Sequence, residues 1–343
     1  MNQTEQIEVD SSKAFGQRVR ELSPGFSVSL VVAAAATFLS EHYTAPVMLF
    51  ALLLGMGLSF LATEGRCKAG IEFTARTVMR IGIALLGMRI TLEQITALGW
   101  QPIVLVITLI VVTISVSVVA AKMMGFQRLF GMLTGGATAI CGASAALALS
   151  VALPKHPQKE KATLFTVIGV SALSTLAMII YPMIAKWLEL SPQEAGIFLG
   201  ATIHDVAQVV GAGYSMSAKT GDTATVVKLM RVAMLLPVIV CAVMITRMQG
   251  VESNGKRPPL LPWFAVSFLL LACINSTGWV PVMLQGGINE LSRWCLVISI
   301  SALGMKTQLR ELATVGIKPI ILMVCESIFL VLLVLTVMHW LFY

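Results

Sequence analysis

Charge is scarce in this 343-residue chain: Asp, Glu, Lys and Arg together make up 12% of it, against 57% hydrophobic residues. Mean hydropathy is +0.87. A soluble domain carries about a quarter charged residues, so the shortage excludes that class and points to an all-α polytopic membrane protein. Paired cysteines are also missing. Cys67, Cys141, Cys241, Cys273, Cys295 and Cys325 stand singly, with no CxxC and no Cys/His metal spacing, and read as small apolar fillers. No GK[ST] follows the glycine-rich run at Gly131, which excludes a P-loop. No nucleophile–base or metal motif is present, so the chain is not read as an enzyme and no cofactor is implied. A net charge of +7 would suggest nucleic acid in a soluble protein. Here Lys and Arg fall in short loops between apolar runs, where they set topology, so the lipid bilayer is the expected partner and nucleic acid is not.

Residues 1–24 form a polar segment, expected to be cytoplasmic, before a first apolar span from Gly25 to Ser40 that reads as a retained signal anchor. The remainder, 25–343, reads as one transmembrane domain. Further spans fit at about 46–63, 71–88, 102–121, 162–185, 224–246, 261–277, 288–304 and 319–342. Two more apolar segments, 129–152 and 196–217, are broken by Gly135, Gly136, Gly142, Gly200, Gly211 and Gly213. With a cytoplasmic amino terminus, 16 of the 24 cations fall in inner loops, among them Lys155, Lys159 and Lys161. Arg89, Lys186, Lys219 and Arg293 fall outside, and Arg76, Arg80, Lys228 and Arg231 lie within spans. A full crossing by each broken segment would put the Lys155–Lys161 loop outside, against the positive-inside bias. The expectation is therefore two re-entrant or half-crossing segments, one from each side, lining a cavity or buried in protein.

An internal repeat supports that arrangement. The run Gly87-Met88-Arg89 through Gly99 to Pro102 returns 217 positions later as Gly304-Met305-Lys306 through Gly316 to Pro319. In the expected topology the copies are inverted, as in secondary transporters whose sites form at the midplane from discontinuous helices. The repeat units, about 46–122 and 263–339, flank a broken-helix core at about 129–248. A fainter echo, offset by 65, superposes Gly131 and Gly135 on Gly196 and Gly200.

The broken segments and the span after them hold the candidate site. Gly135, Gly136, Thr138, Gly142 and Ser144 lie in a run almost free of side chains, where a ligand could approach backbone N–H groups at a helix start; tight helix packing is the alternative. His204, Asp205 and Gln208 sit inside an apolar segment, where polar groups need partners. Lys228 and Arg231, one turn apart in the next span, are the expected anion ligands: Arg offers a planar fork of donors, Lys a mobile point charge. Glu72, Asp205 and Glu326 against Arg76, Arg80, Lys228 and Arg231 leave one intramembrane positive charge in surplus. Glu72, Arg76 and Arg80 follow i,i+4 spacing and read as a structural ladder.

Three motifs carry a family resemblance that extends over nearly the whole chain: GGATAICGASAALAL from Gly135, GATIHDVAQVVGAG from Gly200, and Lys228-Leu229-Met230-Arg231-Val232. The chain resembles the YeiH-type bacterial inner-membrane proteins, which are labelled sulfate exporters and are similar to the broad cation/proton antiporter and anion transporter group. The resemblance implies a multi-pass inner-membrane transporter of a small inorganic or organic anion, with sulfate or a related sulfur oxyanion as the expected substrate, by alternating access. A proton or sodium is the candidate coupling ion and a second copy of the chain a candidate partner. The alternative is a cation/proton antiporter with Asp205 as its ion site.

Overall fold

In the computed structural model, described for residues 3–43, 46–63, 65–153, 159–248, 263–307 and 316–342, every regular element is helical. The chain opens with α1 (Gln3–Tyr43), α2 (Val47–Gly57), α3 (Phe60–Thr63) and α4 (Lys68–Phe73). A π-helical turn, Thr74–Val78, joins α4 to α5 (Met79–Leu85), which tightens into a 3-10 turn at Leu86–Met88. Then come α6 (Leu92–Ala97), α7 (Gln101–Met123), α8 (Arg128–Ala139), α9 (Ala143–Ala152) and α10 (Lys159–Trp187). They are followed by α11 (Pro192–Thr202), α12 (Val206–Met216), α13 (Ala218–Ala233), α14 (Leu235–Met248), α15 (Trp263–Ser276), α16 (Val282–Lys306) and α17 (Ile317–Phe342).

Among the described residues, five helical stretches are long and apolar enough to cross a membrane: Gln17–Tyr43, Gln101–Met123, Lys159–Trp187, Ala218–Met244 and Ile317–Leu341. The shortest, 23 residues, rises about 35 Å at 1.5 Å per residue, enough for a hydrocarbon layer of about 30 Å. The first begins upstream of the predicted Gly25, because the helix runs through Pro24 instead of starting after it.

The chain divides into two compact units, Met1–Arg89 with Val280–Gln308, and Ile90–Trp279 with Leu309–Tyr343. The repeat explains the division. A shift of 217 carries the helical run 68–88 onto α16 in the first unit, and carries α7 onto α17 in the second. Each copy of the motif is thus a passage from the first unit to the second, and equivalent helices pack together within each unit. In the first copy, α6 starts with a capping box in which Thr91 and Gln94 satisfy each other's backbone N–H. The matching residues 308–315 of the second copy, like residues 154–158 of the expected inner loop, lie outside the described residues, whereas Lys159 and Lys161 stand at the start of α10.

In the first unit, Val32, Ile71, Ala75, Ala302 and Met305 form a core. There α2 and α16 meet at Gly55 and Gly304, where an added Cβ would fall 2.3 Å from Ser301 O and 2.3 Å from Leu52 O respectively. Arg76 pairs with Glu72 at 3.1 Å, one turn apart and largely exposed, as the ladder reading expects.

In the second unit the predicted broken segments are two pairs of half-helices, α8–α9 and α11–α12. Here the offset-65 echo has a physical counterpart. A Cβ on Gly131 or Gly135 of α8 would fall 2.7 Å from Ser117 O or 2.5 Å from Ser117 Cβ on α7. A Cβ on Gly196 or Gly200 of α11 would fall 2.5 Å from Thr223 Cβ or 2.6 Å from Ala224 O on α13. Corresponding glycines let each leading half-helix lie directly on a long neighbour.

Candidate functional site

The site is built where the two breaks meet. Helix α8 stops at Ala139 because Gly142 takes φ +64°, a left-handed conformation that a side chain disfavours, and α9 restarts at Ala143. Helix α11 stops at Thr202, where Ile203 turns extended, and α12 restarts at Val206. The breaks touch: a Cβ on Gly142 would meet His204 O at 3.5 Å and Asp205 N at 3.7 Å.

Two half-helices ending in a buried region leave their last carbonyls without intrahelical donors, and the negative ends of both helix dipoles lie at the same place. Lys228 and Arg231, adjacent on one face of α13 and fully buried, answer both needs. Lys228 Nζ donates to Ile140 O at 2.7 Å, Ile203 O at 3.0 Å and His204 O at 2.5 Å. Arg231 Nε donates to Ala139 O at 2.9 Å and Nη2 to Thr138 O at 2.8 Å, from the α8 side. Its Nη1 donates to Gly200 O at 2.9 Å and Ile203 O at 3.0 Å, on the α11 side. An ammonium has three N–H donors and a guanidinium five, so Lys228 is saturated and Arg231 nearly so. The hydrogens of the two cations expected to grip an anion go to the carbonyls of the crossing.

The starting ends of α9 and α12 differ. Asp205 caps α12, its Oδ1 accepting from Ala207 N at 3.3 Å, while its own N–H donates to Ser174 Oγ at 3.0 Å. Helix α9 starts at Gly142 with no side-chain cap, its first residue Ala143 half-buried and Ser144 exposed. Gln208, in the first turn of α12, is buried with its Oε1 unpartnered among the described residues.

Other expected residues fall into place around this centre. Thr138 is a joint: its carbonyl receives Arg231 and lies 3.2 Å from His204 Nδ1, and its hydroxyl donates to Glu326 Oε2 at 3.3 Å. A carbonyl only accepts, so His204 Nδ1 carries a proton; Nε2 lies 3.0 Å from Ser327 Oγ. Gly135 and Gly136 serve packing, Gly135 against Ser117 of α7 and Gly136 against Leu149 of α9, where a Cβ would fall 2.2 Å from Leu149 Cδ1. Glu326 counts among the intramembrane anions of the sequence but stands outside the expected site, as do Ser117, Thr134, Ser174 and Ser327. The signal for Glu326 was its isolation within the apolar run of α17. Among the described residues no group of three or more His, Cys, Asp or Glu could hold a metal ion.

Comparison with known proteins returns one family profile and a set of close relatives. The profile, described as conserved hypothetical protein 698, matches residues 24–323. A UPF0324 membrane protein of Chlorobaculum tepidum is 54% identical over 319 residues, covering 92% of this chain and 89% of the relative. The UPF0324 membrane protein TauZ of Paracoccus denitrificans is 49% identical over 319 residues, covering 92% and 94%. A more distant UPF0324 membrane protein, from Bordetella bronchiseptica, is 36% identical over 256 residues, covering 72% and 78%.

Proposed function

The chain belongs to the UPF0324 family of membrane proteins, and on that premise we propose that it is a secondary transporter of a small anion, of the sulfur-oxyanion class. The observation that carries this reading is the charge of the crossing: Lys228 and Arg231, both fully buried, reach the carbonyls where the broken helices meet, and the carboxylate of the breaks themselves is Asp205, at the start of α12. A buried excess of positive charge is costly until a counter-ion arrives. The start of α9, which has no side-chain cap, and the exposed Ser144 are the natural place for that ion.

In this reading Lys228 and Arg231 fix the crossing and supply potential, Asp205 holds α12, and the anion lies against Gly142, Ala143 and Ser144. The half-helices change access together, because both sets of ends hang on the same face of α13. The protein sits in the bacterial inner membrane with its amino terminus cytoplasmic, and acts without catalysis.

The test is thermal stability of the purified protein against sulfate, sulfite, thiosulfate, sulfonates, carboxylates and alkali cations. A ligand that binds the folded state at about 100 times its Kd adds roughly 2.7 kcal/mol. Stabilisation by sulfur oxyanions at constant sodium supports the reading. Stabilisation by sodium, independent of the anion, supports instead a cation/proton antiporter with Asp205 as the ion site, the rival that the buried unpartnered Gln208 Oε1 favours.

A further inference from the structure

We propose that Glu326 is a proton-binding site: a carboxyl that is protonated in this conformation and exchanges its proton through a cage of three hydroxyls. Glu326 lies mid-way along α17 and is 4% exposed. Among the described residues it forms no ion pair. Its partners are Ser117 Oγ from α7 and Thr134 Oγ1 from α8, both on Oε1, the latter at 2.7 Å, with Thr138 Oγ1 on Oε2.

The titratable groups on the elements packed around it lie elsewhere. Lys122 of α7, Arg128 of α8, and Lys318 and His339 of α17 are exposed. On α10, Glu160, Lys161 and Lys186 are exposed and Lys159 and Tyr181 half-buried; Glu194 of α11 is half-buried and Cys141, after α8, is buried. His204 reaches the neighbouring Ser327, and Lys228 and Arg231 reach the carbonyls of the α8 and α11 ends. A carboxylate buried without a cation is expensive, so the neutral acid is the resting form.

The cage accommodates both forms by rotating hydroxyls. Each hydroxyl has one proton to give. Ser117 Oγ also lies 2.8 Å from Gly131 O, and Thr134 Oγ1 lies 3.1 Å from Phe130 O. When Glu326 is protonated, Ser117 and Thr134 give their protons to those carbonyls, and Oε1–H donates to one of the two hydroxyl oxygens. When the proton leaves, both hydroxyls swing to Oε1, so that with Thr138 three donors hold the carboxylate. No heavy atom has to move. Thr138 ties the switch to the crossing, because the same residue offers its hydroxyl to Glu326 and its carbonyl to Arg231 and His204.

Infrared spectroscopy of the full-length protein in detergent, titrated with pH, reads this directly. The expected result is a protonated-carboxyl C=O stretch at neutral pH that shifts on deuteration and disappears in Glu326→Gln. Thr138→Val, which removes the bond to Oε2, should move the same band to higher frequency, and that shift decides the matter if Glu326→Gln does not fold. Absence of an acid band in the wild type at neutral pH overturns the proposal. So does a band that neither substitution alters, or one lost on adding sodium chloride but not choline chloride, which would make the cage a metal-cation site. Use of the proton in transport rests on the anion-transporter reading. In proteoliposomes an imposed pH gradient should drive sulfate flux in the wild type, whereas Glu326→Gln should exchange sulfate without responding to the gradient. An acid band without anion flux overturns the transport reading and leaves the proton site standing; flux without the band does the reverse.

Discussion

Replacing Arg231 by Gln asks whether the guanidinium holds the crossing together. Arg231 makes four hydrogen bonds, to Thr138 O, Ala139 O, Gly200 O and Ile203 O. A Gln amide has two N–H donors on a shorter stem, so at least two of these carbonyls lose their partner in a buried setting. Hydrogen bonds to a charged group contribute roughly 1.5–3 kcal/mol each. The charge itself adds about 0.3–1 kcal/mol at the carbonyl end of each of the two half-helices. These figures do not add in full, and breaking a buried charged network by removing one partner costs about 3–5 kcal/mol. Against a total stability of about 5–15 kcal/mol, the variant should be poorly folded, with a large loss of monodisperse protein on mild heating in sulfate-free detergent buffer. Arg231→Lys, which keeps the charge but only one nitrogen, should fall between the variant and the wild type. Size-exclusion profiles after a heating series measure both. An Arg231→Gln protein that melts with the wild type would refute the reasoning; if it also lost sulfate-dependent stabilisation, Arg231 would be an anion ligand, as the sequence alone suggested.

Three further outcomes are expected. Gly196→Ala should destabilise by about 1–3 kcal/mol, because its Cβ would overlap Thr223 at 2.5 Å, whereas Gly57→Ala, with nothing within 4 Å, should be neutral or slightly stabilising in the same melting series. Asp205→Asn keeps an N-cap oxygen for α12, so stability should fall by about 1 kcal/mol or less while sulfate-dependent stabilisation persists; its loss together with a sodium effect would favour the cation antiporter. A cysteine placed at Lys159 should resist a membrane-impermeant thiol reagent applied from outside, and a carboxyl-terminal reporter should read as external, in line with the loop charges; external labelling at Lys159 would remove the basis for re-entrant segments.

The fold was legible where composition or glycine carries the message. Low charge announced the membrane, and Gly135, Gly142 and Gly200 marked segments that break within a few residues of where α8 and α11 end. The 217-residue repeat foreshadowed the pairing of α7 with α17. Direction was not legible. A buried Lys or Arg looks the same in a sequence whether its donors face a cavity or a row of carbonyls, and only the convergence of α8 and α11 on α13 shows where Lys228 and Arg231 point. Glu326 escaped for a related reason. Its partners Ser117 and Thr134 lie 209 and 192 residues away; the repeat relates α7 to α17 but does not say which residues of the two helices face each other.

The placement of the anion at the start of α9 can be separated from the role of the buried cations by supplying the anion from within. Ser144 is the second residue of α9, after an N-terminus with no side-chain cap, and it is exposed, so a carboxylate there meets little steric cost. Ser144→Asp puts a negative charge at the positive end of the helix dipole, which stabilises by about 0.3–1 kcal/mol on a surface and up to about 2 kcal/mol in a partly buried setting. It also occupies the position assigned to the substrate. The variant should therefore melt above the wild type in sulfate-free buffer and respond little to added sulfate. Ser144→Asn, of nearly the same shape but uncharged, should keep both the wild-type melting point and the sulfate response, which separates charge from crowding. A Ser144→Asp protein that is stabilised by sulfate as fully as the wild type would show that the anion binds away from α9, and the buried charge of Lys228 and Arg231 would then have to be answered from another side of the crossing.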